Sequence, residues 1–246
     1  MQILNGKIVL ITGASRGIGA VTALEMAKSG ATVIVNYNSS QKAAEEVVEQ
    51  IKREGGHALA IHADVSSEDD AKRLFDEAIA AFGKVDVLVN NAGMMLTKPI
   101  GKTSTEEFDK IFSINVKGVF NMLREAATRL ADNGSIINLS STVTRTMFPG
   151  YGLYCATKGA VEQLTRIFAK EAGSRGINVN AVSPGPTETD LFLEGKSQQD
   201  IDRLAANSAF GRLGQPEDIA RVIVSLAGDG SKWISGQIIG ANGAMA

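Results

Sequence analysis

The sequence predicts an α/β fold: a single-domain, doubly wound parallel sheet of seven strands with helices on both faces. Three observations carry that expectation. Short apolar, β-branched runs alternate with amphipathic segments along the 246 residues. The first such run leads into a glycine-rich turn, Thr12-Gly13-Ala14-Ser15-Arg16-Gly17-Ile18-Gly19, that opens a helix. No repeat, linker or low-complexity stretch breaks the alternation, so one domain is expected over 1–246.

The elements follow in order. Ile8-Val9-Leu10-Ile11 reads as the first strand, and Val21 to Ser29 as an amphipathic helix after the glycine turn. Residues 31–36 form a β-branched second strand; 41–54 form a helix with Ala44, Val47, Val48 and Ile51 on its apolar side. Residues 58–61 are the third strand. Ser66 or Ser67 caps a helix that Gly83 stops after Phe82. Residues 85–89 are the fourth strand and lead into Asn90-Asn91-Ala92-Gly93. Ser104 caps another helix, and a long one covers 112–131. Residues 135–139 are the fifth strand, ending at Ser140-Ser141, and 151–172 read as a helix. Residues 178–182 are the sixth strand, closed by Pro184-Gly185-Pro186. Pro216 starts the last helix and 237–239 make the seventh strand.

Composition narrows the class. The chain is 44% hydrophobic and 21% charged, with a formal net charge of −2. No lysine–arginine stripe accompanies that balance, which argues against nucleic acid and anionic membrane as partners. No apolar run approaches a membrane span, and the N-terminal stretch lacks the basic-then-apolar order of a signal peptide. One cysteine, Cys155, suits a reducing compartment, so the cytoplasm is expected.

The glycine turn carries the first chemical reading. Gly13 permits the tight turn, Gly17 lets a pyrophosphate approach the backbone, and Gly19 packs helix against strand. The helix start offers unpaired N–H groups and a positive dipole end to phosphates. Ser15 and Ile18 belong to the same turn. Further on, Tyr154 and Lys158 are four apart on an expected helix and share one face. A neighbouring ammonium favours phenolate, so the tyrosine is expected below its ordinary pKa of about 10. Ser141 lies thirteen residues earlier, where its hydroxyl can donate to a carbonyl oxygen beside the tyrosine.

With Thr12-Gly-x-x-x-Gly17-x-Gly19, Asp64-Val65, Asn90-Asn91-Ala92-Gly93, Asn115, Ser141, Tyr154-x-x-x-Lys158 and Pro184-Gly185 in that order, the chain resembles the short-chain dehydrogenase/reductase family over nearly its whole length. The pattern is most similar to bacterial 3-oxoacyl-[acyl-carrier-protein] reductases and their carbonyl-reductase relatives. That resemblance implies a tetrad of Asn115, Ser141, Tyr154 and Lys158. Tyr154 passes a proton to a carbonyl oxygen while a nicotinamide delivers hydride to its carbon, and Ser141 polarises the carbonyl. Lys158 holds the ribose, and Asn115 anchors a relay water. It also implies that Asp64 and Val65 frame the adenine and that Asn91, Ala92 and Gly93 pass along the cofactor. Pro184, Gly185, Thr187 and Thr189 then meet the carboxamide and phosphates. A homotetramer is implied, with helices 112–131 and 151–172 and the last strand at its interfaces.

The second strand selects the cofactor. An acidic residue at its end would bind the ribose hydroxyls of NAD and repel a 2′-phosphate. Here Asn36 stands there, followed by Tyr37, Asn38, Ser39 and Ser40, and Arg16 supplies a cation beside the pocket. NADP(H) is therefore expected.

The substrate is a small carbonyl compound. Met94, Met95, Thr142, Val143, Met147, Phe148, Tyr151, Pro186 and Leu191 are candidate walls, and 189–210 a substrate lid. Most are apolar, which favours a ketone with hydrophobic substituents. Acyl-carrier-protein docking is in doubt, because Leu130-Ala131-Asp132-Asn133-Gly134 lacks a basic cluster, although Arg129 and Arg175 are near. A general ketone reductase leads, with a 3-oxoacyl-[acyl-carrier-protein] reductase or an oxidative sugar or alcohol dehydrogenase behind it. A non-catalytic nicotinamide sensor has no need of the full tetrad. Extended-branch epimerases carry a different glycine spacing and a longer chain. No metal cluster and no nucleophile elbow is visible; Cys155 reads as a packed thiol, and His57 and His62 fall on opposite strand faces.

Overall fold

The computed structural model describes residues 2–246. Seven parallel strands form one sheet in the order β3-β2-β1-β4-β5-β6-β7. They are β1 (Ile8–Ile11), β2 (Thr32–Tyr37), β3 (His57–His62), β4 (Val87–Asn90), β5 (Ser135–Leu139), β6 (Asn178–Pro184) and β7 (Ile238–Ala241). The expected seven-stranded parallel sheet is the one observed.

Alternation along the strands builds two cores. Val9 and Ile11, Val33 and Val35, Val87 and Val89, and Ile137 and Leu139 face one side. There they meet α1 (Gly17–Lys28), α2 (Gln41–Arg53) and α10 (Pro216–Ala227) through Ala23, Met26, Val48, Ile51, Ile219 and Ile223. Ile8, Leu10, Ile34, Leu88 and Ile136 face the other. They pack on α3 (Glu68–Phe82), α5 (Gly118–Arg129) and α7 (Gly152–Glu171) through Leu74, Phe75, Met122, Leu123 and Val161. Both faces of the central strands are thus buried, as near-continuous apolar runs require.

Local signals place the helix ends. The Ser67 hydroxyl accepts the Asp70 N–H, and Gly83 ends α3 in the left-handed region at φ 80°. In α4 (Thr105–Phe112), Ser104 and Glu107 form a reciprocal capping box. Two boundaries differ from expectation. α1 begins at Gly17, four residues before its amphipathic run, straight after the extended Arg16. The expected helix over 112–131 starts with a π-helical turn, Ser113–Lys117, through which α4 runs on into α5 without leaving helical dihedrals, and it ends at Arg129. The helices α6 (Val143–Thr146) and α8 (Asp190–Leu193) are too short to show an apolar period, and α9 (Gln198–Ala206), with Ile201, Leu204 and Ala205 on one side, lies in the segment expected as a lid.

On the outside of the α5–α7 layer, Phe112, Val116, Phe120, Leu164 and Ile167 line an open apolar groove. Among the described residues, no helix is long and apolar enough to cross a membrane.

Candidate active site

Strand order reverses between β1 and β4, and the helices of the two halves diverge there, leaving a crevice beyond the carboxyl ends of the strands. A cleft of about 640 Å³ occupies it.

The glycine turn forms its floor. At Gly13, with φ 61°, a Cβ would stand 2.9 Å from Ala92 Cα. At Gly19 it would stand 2.5 Å from Asn91 Nδ2 and 2.6 Å from Gly13 O, so neither position has room for a side chain. Three polar side chains fix the turn from behind. Thr12 Oγ1 accepts the N–H groups of Asn91 and Ala92, each at 3.0 Å. Asn91 Nδ2 donates to Thr12 O and Gly13 O, each at 2.9 Å. Asn36 Oδ1 accepts the Gly13 N–H at 3.2 Å, while its Nδ2 faces the carbonyls of Tyr37, Ile61 and Ala63. Asn36 is buried and fully engaged, so it holds the turn while Arg16, Asn38, Ser39 and Ser40 present their side chains to the cleft. α1 has no side-chain cap; its first N–H groups are left for a ligand.

Of the residues expected at the cofactor, Gly19 and Tyr37 do not line the cleft. Gly19 packs beneath the turn, and Tyr37 meets His62 edge-on with ring centroids 5.5 Å apart. Gly13, Ser15, Arg16, Gly17, Ile18, Asn36, Asn38, Asp64, Val65, Asn91, Ala92, Gly93, Pro184, Gly185, Thr187 and Thr189 all line it. Asp64 also orders the entry to α3 by accepting from Ser66 N–H and Oγ. Thr189 caps α8 through the Phe192 N–H.

Ser141, Tyr154 and Lys158 line the opposite wall of the same cleft. The Lys158 Nζ donates to Leu139 O at 2.7 Å and lies 5.7 Å from the centre of the Tyr154 ring. Burial pulls its pKa from 10.5 down to about 8. Burial also pushes the Tyr154 phenol from 10.0 up to about 12, against a smaller lowering by its hydrogen bond with Ser141. The spacing to Lys158 predicts a lowered phenol; desolvation raises it instead. The phenol is therefore a protonated donor throughout the neutral range.

Asn115 does not reach the cleft surface. It is wholly buried in the π-helical turn, where Oδ1 accepts the Met94 N–H at 2.8 Å. Its Nδ2 donates to Met94 O at 2.9 Å and Thr157 Oγ1 at 3.1 Å. It thereby joins the segment after Gly93 to the helix of Tyr154. π-Turns recur where a helix must deliver one side chain out of register.

Among the proposed walls, Met94, Met95, Thr142, Val143, Phe148, Tyr151, Pro186 and Leu191 line the cleft. Met147 does not: it sits at φ 50°, 70% exposed, because the left-handed end of α6 turns it outward. Sequence reading missed Lys110, Ile114 and Met245, while Phe192 and Leu204 belong to the 189–210 segment named above as a lid. Met245 arrives by a chain reversal at Gly243 (φ 60°) and Ala244 (φ 59°), and only the glycine signals it. Cys155 donates to Val143 O at 3.5 Å and burial raises its pKa, as befits a packed thiol. Among the described residues, no group of acidic, histidine or cysteine side chains could hold a metal.

A family model described as enoyl-(acyl carrier protein) reductase matches residues 13–245. A short-chain type dehydrogenase/reductase of Picea abies is 42% identical over 250 residues, covering 98% of this chain and 92% of its own. A hydroxynaphthalene reductase-like protein, Arp2, of Metarhizium brunneum is 41% identical over 249 residues, covering 96% and 93%. The solved structure of the angucycline C-6 ketoreductase LanV with bound NADP superposes with a TM-score of 0.93 at 36% identity, covering 98% and 96%.

Proposed function

This chain belongs to the short-chain dehydrogenase/reductase family, and from that premise we propose that it is an NADPH-dependent carbonyl reductase converting a hydrophobic ketone to a secondary alcohol. The observation that carries the reading is one cleft with a side-chain-free phosphate floor on one wall and Ser141, Tyr154 and Lys158 on the other.

The site fits a dinucleotide. Gly17, at φ 56°, leaves the backbone bare, and the first N–H groups of α1 face outward to receive a pyrophosphate. Arg16, Asn38, Ser39 and Ser40 form a donor set without negative charge that suits a 2′-phosphate. Asp64 and Val65 border the adenine side, and Gly93, Pro184 and Thr187 the nicotinamide side. When bound, NADPH supplies the hydride that the carbonyl carbon accepts.

The chain's own residues do the rest. Ser141 donates a hydrogen bond to the carbonyl oxygen and polarises it. Tyr154, held in its protonated form by burial, gives its phenolic proton to that oxygen as negative charge develops. Lys158, anchored on Leu139 O, orients the ribose and offers positive charge beside the phenol. Asn115 fixes the backbone of Met94 against Thr157 and so sets the distance between the two walls. Met94, Met95, Phe148, Tyr151 and Leu191 exclude water, and segment 189–210, with α8 and α9, covers the substrate.

Two arginines bear on the runner-up, a 3-oxoacyl-[acyl-carrier-protein] reductase. Arg129 is paired with Glu125 and Asp76, and Arg175 with Asp132 and the carbonyl of Ala127. Neither is free to receive an acidic carrier, which supports the general ketone reductase.

The test is NADPH consumption with a bulky aryl ketone, an acetoacetyl thioester and a crotonyl thioester in parallel, each repeated with NADH. The expected result is the highest kcat/KM for the aryl ketone with NADPH. A clear preference for acetoacetyl thioester would make the carrier-linked reductase the function. Preference for crotonyl thioester would replace carbonyl reduction by enoyl reduction.

A further inference from the structure

Glu162 has no part in the chemistry described above, yet its carboxylate sits inside the wall that carries Ser141. It lies on α7, one turn beyond Lys158 and two beyond Tyr154, with its side chain only 12% exposed. Ser140 Oγ donates to Glu162 Oε1 at 2.7 Å. Thr144 Oγ1 lies 2.9 Å from the same oxygen and 3.0 Å from Ser141 O, its single proton serving one of them at a time. Glu162 Oε2 has Arg166 at 3.8 Å, a loose contact on the solvent side.

One carboxylate oxygen therefore gathers a hydroxyl from each side of Ser141. The helix that makes this contact is the helix that presents Tyr154 and Lys158. We propose that Glu162 is a positioning residue: it ties the turn after β5 to α7 and so fixes the Ser141 hydroxyl relative to the Tyr154 phenol at the reacting carbonyl. The proposal rests on the reading of Ser141 and Tyr154 as the groups that receive the carbonyl oxygen.

The physical case is one of alternatives. Within its own turn the Ser141 Oγ accepts only a long 3.4 Å bond from the Val143 N–H, and its other partner is the Tyr154 phenol across the cleft wall, so the turn itself holds it weakly. α6, four residues long, is too short to be rigid by itself. Stiffness must come from neighbours: the Glu162 pair, the Cys155 Sγ to Val143 O contact at 3.5 Å, Thr142 Oγ1 on Ser183 O at 3.2 Å, Asn242 Nδ2 on Thr142 Oγ1 at 3.1 Å and Arg145 on Ile238 O at 3.4 Å. Two of these involve a charge; the Arg145 bond is long, the Glu162 pair is short, and short charge-assisted hydrogen bonds are the strong ones. A displacement of about 1 Å in such a turn costs roughly a hundredfold in rate.

A double-mutant cycle tests it, on the full chain with NADPH and the best ketone of the panel above. Glu162→Ala is expected to lower kcat by roughly tenfold, with KM for NADPH and its binding by fluorescence titration unchanged. Glu162→Gln keeps an acceptor for Ser140 and Thr144 and is expected to recover most of that loss. In a Ser141→Ala background, Glu162→Ala should lower kcat little further, because the group it positions is gone. Fully additive losses would overturn the proposal, since Glu162 would then act by a route that bypasses Ser141. A parallel fall in NADPH binding, or no change in kcat, would overturn it too. If wild type turns over no carbonyl compound, the functional reading fails instead, and that outcome is separate from the cycle.

Discussion

Two strand-to-helix turns face each other across the cleft, and they are built on opposite principles. The turn after β1 is fixed by shape: Gly13 and Gly19 touch Ala92 and Asn91 with no room for a Cβ, and Thr12, Asn36 and Asn91 are all engaged with backbone. What it offers a ligand is bare N–H groups. The turn after β5 is fixed by side chains: Ser140 and Thr144 on Glu162, and Thr142 on Ser183 O. What it offers is a single hydroxyl, Ser141, opposite the Tyr154 phenol. On the proposed reading, the pyrophosphate would be met by backbone, where almost no substitution is tolerated. The carbonyl would be met by side chains that can be exchanged one at a time.

The largest effect expected from that division is at Tyr154. Tyr154→Phe removes one oxygen from the second wall and nothing from the first. It should lower kcat for ketone reduction by about 10²–10⁴-fold. Titration of NADPH fluorescence should give a nearly unchanged Kd. Turnover close to wild type would end the role of the phenol as proton donor, and a lost cofactor site would show that the walls are not separable.

The next effect is at Arg16, the one charged side chain that the first turn contributes to the cleft. Asn36→Asp, the substitution that sequence logic favours, is a poor probe. The two Nδ2 hydrogens of Asn36 are shared among three carbonyl oxygens, which a carboxylate would face without a proton. Arg16→Ala leaves those bonds intact. It should lower the NADPH/NADH ratio of kcat/KM by roughly ten- to a hundredfold, the value of one charge-assisted contact to a phosphate. An unchanged ratio would move 2′-phosphate recognition onto Asn38, Ser39 and Ser40.

The two turns also differ in how much of them the sequence displays. Glycines forced by sterics stand out at fixed spacings, so the β1 turn, the sheet and its order of elements are legible from periodicity and punctuation alone. Tyr154 and Lys158 are legible because a helix repeats every 3.6 residues. Glu162 is not, although it shares their spacing, because one more acidic residue on an amphipathic helix looks like solubility. Asn115 can be named from the sequence, but not the π-helical turn that buries it, since that turn depends on the Met94 backbone 21 residues away. Met245 reaches the cleft only through two left-handed residues at the chain's end. In each case the missing information is tertiary.

The smallest effect falls on Lys158, the residue where the two walls meet. It holds the Leu139 carbonyl at the start of the second turn, and a Cβ on Gly93 would stand 3.7 Å from its Nζ. Its pKa in the fold is about 8, below the ordinary 10.5, so between those values the unfolded chain binds a proton that the folded chain does not. Stability contributed by this group therefore rises with pH across that window and is at its lowest below about 8, where the buried ammonium must be carried. Tyr154 acts in the opposite sense above 10, because the fold keeps its phenol protonated up to about 12 while the unfolded chain ionises. Urea unfolding of wild type and Lys158→Met, measured from pH 7 to 10, isolates the lysine. The difference in unfolding free energy should move in favour of wild type as pH rises through about 8. A difference that stays flat would mean that the ammonium is well solvated in the folded protein. Lys158 would then stand in water rather than inside the wall, and the seam between backbone-built and side-chain-built halves would be open there.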